Sequence, residues 1–164
     1  VHNISIWTDG SAVPNPGRGG WCAILLYIVE GEIQAERVIG GSDPVSTNNR
    51  MELQAAISAL KALKPEAVQH TIVLKTDSNY MKDNLQYVPR WQAKGWRGSK
   101  GPIANVDLWK ELYTLTQAYK VEFKWVEAHA GDTYNKRCDQ IAGALAHGEI
   151  PEGVTIIDSN LSYC

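Results

Sequence analysis

Four acidic residues stand where a merely solvated charge would not be expected. Asp9 and Asp77 each close an apolar, strand-like run, Ile6-Trp7-Thr8-Asp9-Gly10 and Leu74-Lys75-Thr76-Asp77-Ser78. In sheets with helical crossovers, ligands gather beyond the carboxyl ends of strands. Taken singly, either aspartate also reads as a turn or cap residue. Glu52 is in line with Ala56, Ala59 and Leu63, on the edge of an apolar helical stripe. A carboxylate turned toward a core needs a partner there; its alternative role is electrostatic support of a helix N-terminus. Asp139 shares a helix face with Ala142, Gly143 and Ala146, a small-residue face that permits close approach to a sheet. Four acids at one sheet edge would repel one another unless divalent cations cancelled the charge while bridging a phosphate. Mg2+ suits such a set, because it takes oxygen ligands and is usually held by a few carboxylates plus substrate phosphate.

The elements that must position these acids follow from hydrophobic period. Residues 3–9 alternate as a strand, with Ile4, Ile6 and Thr8 on one face, and end at Asp9-Gly10. The turn formers Pro14-Asn15-Pro16-Gly17 lead into strands over residues 21–29 and 33–39, an antiparallel meander. Thr47 or Asn48 caps a helix with apolar positions Leu53, Ala56, Ile57, Leu60 and Leu63, which Lys64-Pro65 ends. A strand over 71–76, a short helix after Asp77-Ser78, a helix over 105–119, a strand over 121–126 and a helix over 133–146 complete the order. That order, β-β-β-α-β-α-α-β-α, predicts an α/β domain with a mixed sheet and helices packed on its faces. Residues 148–164 read as a tail of the same or a separate unit, with a short strand at 154–157.

Composition narrows the rest. A chain of 164 residues, 44% apolar and 21% charged, fits one globular domain, and no apolar run approaches the roughly 18 residues of a membrane span. The start, Val1-His2-Asn3-Ile4-Ser5, has no basic segment followed by an apolar one, so the expectation is a cytoplasmic protein without a membrane partner. Cys22, Cys138 and Cys164 form no Cys-x-x-Cys pair, and the histidines His2, His70, His129 and His147 are scattered, which argues for reduced thiols and against zinc. The net charge of −2 does not by itself announce a polyanionic partner. Charge is nevertheless concentrated: Arg90, Lys94, Arg97 and Lys100 fall in one acid-free stretch interleaved with Trp91 and Trp96, a pattern suited to a nucleic-acid strand.

Thr8-Asp9-Gly10-Ser11, Thr47-Asn48-Asn49-Arg50-Met51-Glu52, Thr76-Asp77-Ser78 and His129-Ala130-Gly131 followed by Asp139 together resemble type I ribonuclease H, over residues 3–147. The resemblance implies a five-stranded mixed sheet with helices on both faces and a catalytic domain over residues 1–147. It also implies hydrolysis of the RNA strand of RNA/DNA hybrids by a monomer without an obligate protein partner. Two Mg2+ ions, replaceable by Mn2+, would be held by Asp9, Glu52, Asp77 and Asp139, with Asp9 bridging both, Asp139 completing the nucleophile side and Glu52 and Asp77 holding the other ion. The products would carry 5'-phosphate and 3'-hydroxyl ends. His129 would shuttle protons or ease product departure. Asn15, Asn48 and Asn49 would meet the minor groove and its 2'-hydroxyls, Tyr80, Trp91 and Trp96 the DNA strand, and Thr47 and Asn105 a DNA phosphate. Lys94, Arg97 and Lys100 would form a basic protrusion.

The resemblance thins around the substrate grip. Gln92, Ala93 and Ala104 stand where cations are expected, and Val45 where some members place an arginine, so weaker hybrid binding with a shallower salt slope is expected. Integrases, transposases and junction resolvases share the fold and a similar acidic cluster. The Asn48-Asn49 pair and the tryptophan-bearing basic loop favour the hybrid, since a DNA-only nuclease has no 2'-hydroxyl to read. A catalytically silent hybrid-binding module would not need all four acids.

Overall fold

Alternation of apolar residues builds an antiparallel meander in the computed structural model, which describes residues 2–128 and 131–157. Its strands are β1 (His2–Val13), β2 (Gly17–Val29) and β3 (Glu32–Ser46), with Trp7 opposite Ile24 and Ala23 opposite Ile39. All three are longer than the hydrophobic pattern predicts. β1 runs on past Asp9 because residues 10–13 stay paired with residues 18–21 in the hairpin that Pro14, Asn15 and Pro16 close. Asp9 therefore lies within a strand, which corrects the expectation that β1 ends there.

What does end beside Asp9 is its parallel neighbour. β4 (Thr71–Thr76) pairs with β1 from Asn3–Thr71 to Thr8–Thr76 and then stops. Asp9 and Asp77 are each the first residue beyond that last pair, so they still meet at one point of the sheet.

Between β3 and β4 lies α1 (Asn48–Lys61), opened by Thr47, whose Oγ1 accepts from the Arg50 N–H at 3.1 Å. A short 3-10 turn, Pro65–Gln69, leads from it into β4. After β4 follow α2 (Asn79–Leu85), α3 (Val88–Ala93), the two-residue strands β5 (Arg97–Gly98) and β6 (Gly101–Pro102), and α4 (Val106–Ala118). β7 (Val121–Trp125), α5 (Thr133–Ala146) and β8 (Thr155–Ile156) complete the chain. α3 and the β5–β6 hairpin add to the predicted order. Their six and two residues are too short for a period to show, although Pro89 in the first turn of α3 is a usual helix opener.

Six strands, ordered β7-β4-β1-β2-β3-β8, make one mixed sheet in place of the expected five. The extra member is β8, lying within the short strand expected at 154–157. Thr155 pairs with Ile39 and Ile156 with Gly40, and the Ile157 N–H donates to the Gly40 carbonyl at 2.8 Å. The chain beyond residue 147 is thus joined to the same sheet as far as it is described.

Period-two alternation sends the two faces of β1 into separate cores. Ile4 and Ile6 pack with Leu53, Ile57 and Leu60 of α1 and Trp109 of α4. Trp7 packs on the opposite face with Ile24, Leu26 and Cys138, Ile141 and Leu145 of α5. Helices therefore cover both faces, as expected. Glycines allow both helices to touch the sheet: a Cβ on Gly10 would strike the Met51–Glu52 backbone, and one on Gly20 the backbone of Ala142 and Ala146. Cys22 and Cys138 are free and buried in the α5 interface, and Cys164 lies outside the described residues. No described helix is long and apolar enough to cross a membrane.

Candidate active site

Three acids from three elements converge above the centre of the sheet. β1 supplies Asp9, the first turns of α1 supply Glu52 across the Gly10 contact, and the turn after β4 supplies Asp77. One carboxylate oxygen from each lies within 4.8 Å of the others. Asp9 is 5% exposed and Glu52 8%. Asp77 is half-buried and accepts from Asn135 Nδ2 at 3.3 Å. Asp139, on α5, is exposed and is not one of these three, but it is near enough to add slightly to the pressure that raises the Asp9 carboxyl. All four predicted acids are thus at one place, three as a tight group and one at its rim.

Burial makes this group electrostatically costly. Desolvation first, then the charges of Glu52 and Asp77, push the Asp9 carboxyl up to about 11. Desolvation likewise pushes Glu52 up to about 8, although a hydrogen bond from Asp9 favours its charged form. Without a counter-charge, Asp9 therefore keeps a proton that it shares with Glu52. Glu52 Oε1 is buried and has no hydrogen-bond partner among the described residues, which for a carboxylate oxygen marks an unmet need. Oxygen donors, surplus negative charge and an orphaned acceptor fit a hard divalent cation. No histidine or cysteine joins the cluster among the described residues.

Beside the acids the asparagines form a relay. Asn15 Oδ1 accepts from the Asn48 N–H at 3.2 Å, and Asn48 Oδ1 from the Ala12 N–H at 2.6 Å. Both amides are therefore held by their oxygens on exposed ground, with their NH2 groups unbonded among the described residues. Asn49 is exposed, and Thr47 serves as the helix cap.

A second group is built on α2, α3 and α4. Tyr80 Oη accepts from Asn105 Nδ2 at 3.0 Å and from Trp109 Nε1 at 2.9 Å. Trp91 sits edge-on to Trp109 at 5.8 Å and Trp96 edge-on to Tyr113 at 5.8 Å, so each tryptophan is half core residue and half surface. Lys94, Arg97 and Lys100 are exposed on α3's end and the β5–β6 hairpin and make no ion pair among the described residues.

Some participants had no role in the sequence reading. Arg50 joins α1 to α4: it donates to Asn105 Oδ1 at 3.3 Å and to both oxygens of Asp107 at 3.0 and 2.8 Å. Its place inside the Asn48-Asn49-Arg50 motif was the available signal. Trp7, Asp132 and Asn135 link α5 to the acid group, and only the shared strand face of Trp7 and Asp9 hinted at this. His129 lies outside the described residues.

Comparison with known proteins agrees with this geometry. A family model described as RNase H matches residues 2–147. The chain is 48% identical over 141 residues to ribonuclease HI of Pseudomonas aeruginosa, covering 85% of this chain and 90% of that protein. It is 44% identical over 141 residues to ribonuclease H of Granulibacter bethesdensis, covering 85% and 89%. Among solved structures, LC9-RNase H1, described as a type 1 RNase H with the type 2 active-site motif, superposes with a TM-score of 0.79. It is 29% identical, over 98% of this chain and 79% of that one.

Proposed function

The chain belongs to the ribonuclease H family, and from that premise we propose that it hydrolyses the RNA strand of RNA/DNA hybrids, leaving 5'-phosphate and 3'-hydroxyl ends. The observation that carries the reading is the Asp9–Glu52–Asp77 group with its orphaned Glu52 Oε1, on the same helix that exposes Asn48 and Asn49 in its first turn. One chain supplies every acid, so a monomer suffices.

Asp9, Glu52, Asp77 and Asp139 would hold two divalent cations, Mg2+ or Mn2+, with Asp9 common to both, Asp139 on the nucleophile side and Glu52 and Asp77 at the other. Bound there, such ions cancel the mutual repulsion, generate a nucleophile from water at neutral pH and stabilise the leaving oxygen. The chain's own residues do the rest. Asn15 and Asn48, anchored through their oxygens, keep NH2 donors for the 2'-hydroxyls that distinguish RNA from DNA. Asn49 adds a further contact to the minor groove. Tyr80, Trp91 and Trp96 offer ring faces to the DNA strand, and Thr47 and Asn105 hold one of its phosphates near Arg50. Lys94, Arg97 and Lys100 attract the backbone without reading sequence. His129 would shuttle protons or ease product departure. Residues 1–147 form the catalytic domain, with the following segment attached through β8.

End-labelled hybrid, duplex DNA, duplex RNA and a four-way junction, incubated side by side with Mg2+, test the reading. The hybrid alone should be cut, in its RNA strand, and chelation should stop the reaction. Equal cutting of duplex DNA, or an intact hybrid with both Mg2+ and Mn2+, would sink it.

A further inference from the structure

Three residues on one stripe of α5 reach the sheet beside the acids. Asp132, Asn135 and Asp139 stand at positions i, i+3 and i+7, which a helix presents on a single face. Asp132 caps the helix, its Oδ1 accepting from the N–H groups of Tyr134 at 3.0 Å and Asn135 at 3.1 Å. Its other oxygen accepts from Trp7 Nε1 at 3.0 Å. Trp7 precedes Asp9 by two residues and so points to the same face of β1. Its ring is itself fixed, with the Lys75 ammonium 4.3 Å above it and the Tyr134 ring 4.6 Å away. One turn along, Asn135 is 4% exposed and donates to Asp77 Oδ2 at 3.3 Å. At the end of the stripe, Asp139 stands near enough to Asp9 to affect its carboxyl.

Capping alone does not account for this arrangement. Any serine or threonine at position 132 would satisfy the same two N–H groups. A buried amide at position 135 is no asset to stability unless partnered, and its partner is one of the three clustered acids. Apolar packing of Ile141 and Leu145 is non-directional, and the Cys138 thiol, a weak donor, adds bonds to the carbonyls of Trp7 at 3.5 Å and Cys22 at 3.2 Å, so together they set the axial register of α5 on the sheet only coarsely. Directional bonds at two points of the stripe set it.

We propose that Trp7, Asp132 and Asn135 are positioning residues of the acid site. The Trp7–Asp132 bond fixes the register of α5 on β1, and hence the place of Asp139 against Asp9, while Asn135 fixes the orientation of Asp77. The proposal rests on the nuclease reading of the four acids. It adds the residues that hold them to the geometry a divalent cation requires. Partners of ligating carboxylates change cation affinity or activity about 10- to 100-fold when lost, which exceeds what a cap bond alone would do at a distance.

The test titrates Mn2+ into the substrate-free protein by calorimetry, alongside the thermal midpoint and the Mn2+ dependence of hybrid cleavage. Trp7→Phe keeps a ring between Lys75 and Tyr134 and removes the donor. Asp132→Ser keeps a capping oxygen but is too short to reach Trp7. Asn135→Ala removes the amide that donates to Asp77. Each should weaken Mn2+ binding about tenfold or more. Each should also raise the Mn2+ concentration for half-maximal cleavage by a similar factor, with KM for the hybrid at saturating Mn2+ held within about twofold. Asp132→Asn keeps one acceptor oxygen where the carboxylate uses two, so it can hold the cap or the Trp7 bond but not both, and its loss should be no smaller than that of Asp132→Ser. Variants that melt earlier but bind Mn2+ like the unaltered protein would show a helix cap only and overturn the proposal. An unaltered protein that binds Mn2+ but leaves the hybrid intact would overturn the nuclease reading instead, and the cation titrations would still judge the positioning.

Discussion

The acid group and the basic arm are built on opposite principles. Asp9 and Glu52 are buried, crowded and short of partners, and one of their oxygens has none among the described residues. Lys94, Arg97 and Lys100 are exposed and individually replaceable, and the tryptophans between them are half committed to the core. A buried charge without a partner costs several kcal/mol unless something arrives to meet it, whereas an exposed lysine is content in water. The first region therefore specifies its ligand tightly, and the second only biases an encounter. Substitutions in the first should change chemistry and stability in opposite directions. Those in the second should change affinity alone.

Asp9→Asn gives the largest contrast. On the proposed mechanism two cations would supply several kcal/mol of transition-state stabilisation, and each 1.36 kcal/mol is tenfold in rate, so loss of the ligand proposed to be common to both should slow hybrid cleavage at least about a thousandfold. The same change removes a buried, repelled carboxyl. The cation-free protein should gain on the order of 1–3 kcal/mol, a rise in melting midpoint of roughly 3–10 °C. A variant that is both inactive and less stable would mean that Asp9 holds the fold together, and the contrast between the regions would fail.

Acidity gives the next effect. Asp9 and Glu52 hold their protons more tightly in the folded chain than ordinary carboxyls do, Glu52 up to about 8 and Asp9 up to about 11. Above about pH 4 the folded state consequently binds more protons than the unfolded one. Stability of the cation-free protein must then fall as pH rises, from about 4 through about 8 and onward. Mg2+ competes with those protons, so its affinity should climb across the same window, and at a hundredfold excess over its Kd it should return about 2.7 kcal/mol. Thermal melts at about pH 5 and pH 8, with and without Mg2+, read both slopes. Cation-free stability that increases from the lower to the higher pH would contradict the shared proton.

The two regions also differed in how far the sequence disclosed them. Glu52 betrayed itself by falling in line with Ala56 and Leu63, and Asp77 by ending a branched strand, because local period and local turn chemistry determine both. α5 begins and ends where its cap and period indicate, at Thr133 and Ala146. Asp9 was legible as a member of the acid group but not as a mid-strand residue, since residues 10–13 are held by cross-strand pairing and carry no alternation to read. β8 rests on two paired residues, below any period. The Trp7–Asp132 and Arg50–Asp107 bonds join residues 125 and 57 apart in sequence, where neither spacing nor propensity carries information. Asp139 shares a face with buried Ala142 and Ala146, yet it lies far enough round the helix to emerge at the rim.

The smallest effects belong to the arm, and they have a definite sign. Lys94→Ala removes one phosphate neighbour from a surface that water already satisfies, so hybrid binding should weaken while single-turnover cleavage of bound hybrid stays nearly unchanged. The slope of log affinity against log salt should become shallower by about one. Ala93→Lys does the reverse on the same exposed turn, steepening the slope by about one and tightening binding at low salt. Salt titrations of both variants against the unaltered protein, with cleavage followed in a single turnover, measure the two quantities separately. If Lys94→Ala slows the chemical step and leaves the salt slope untouched, the arm reaches the reacting phosphate, and the division between a region that reacts and a region that merely attracts no longer describes this molecule.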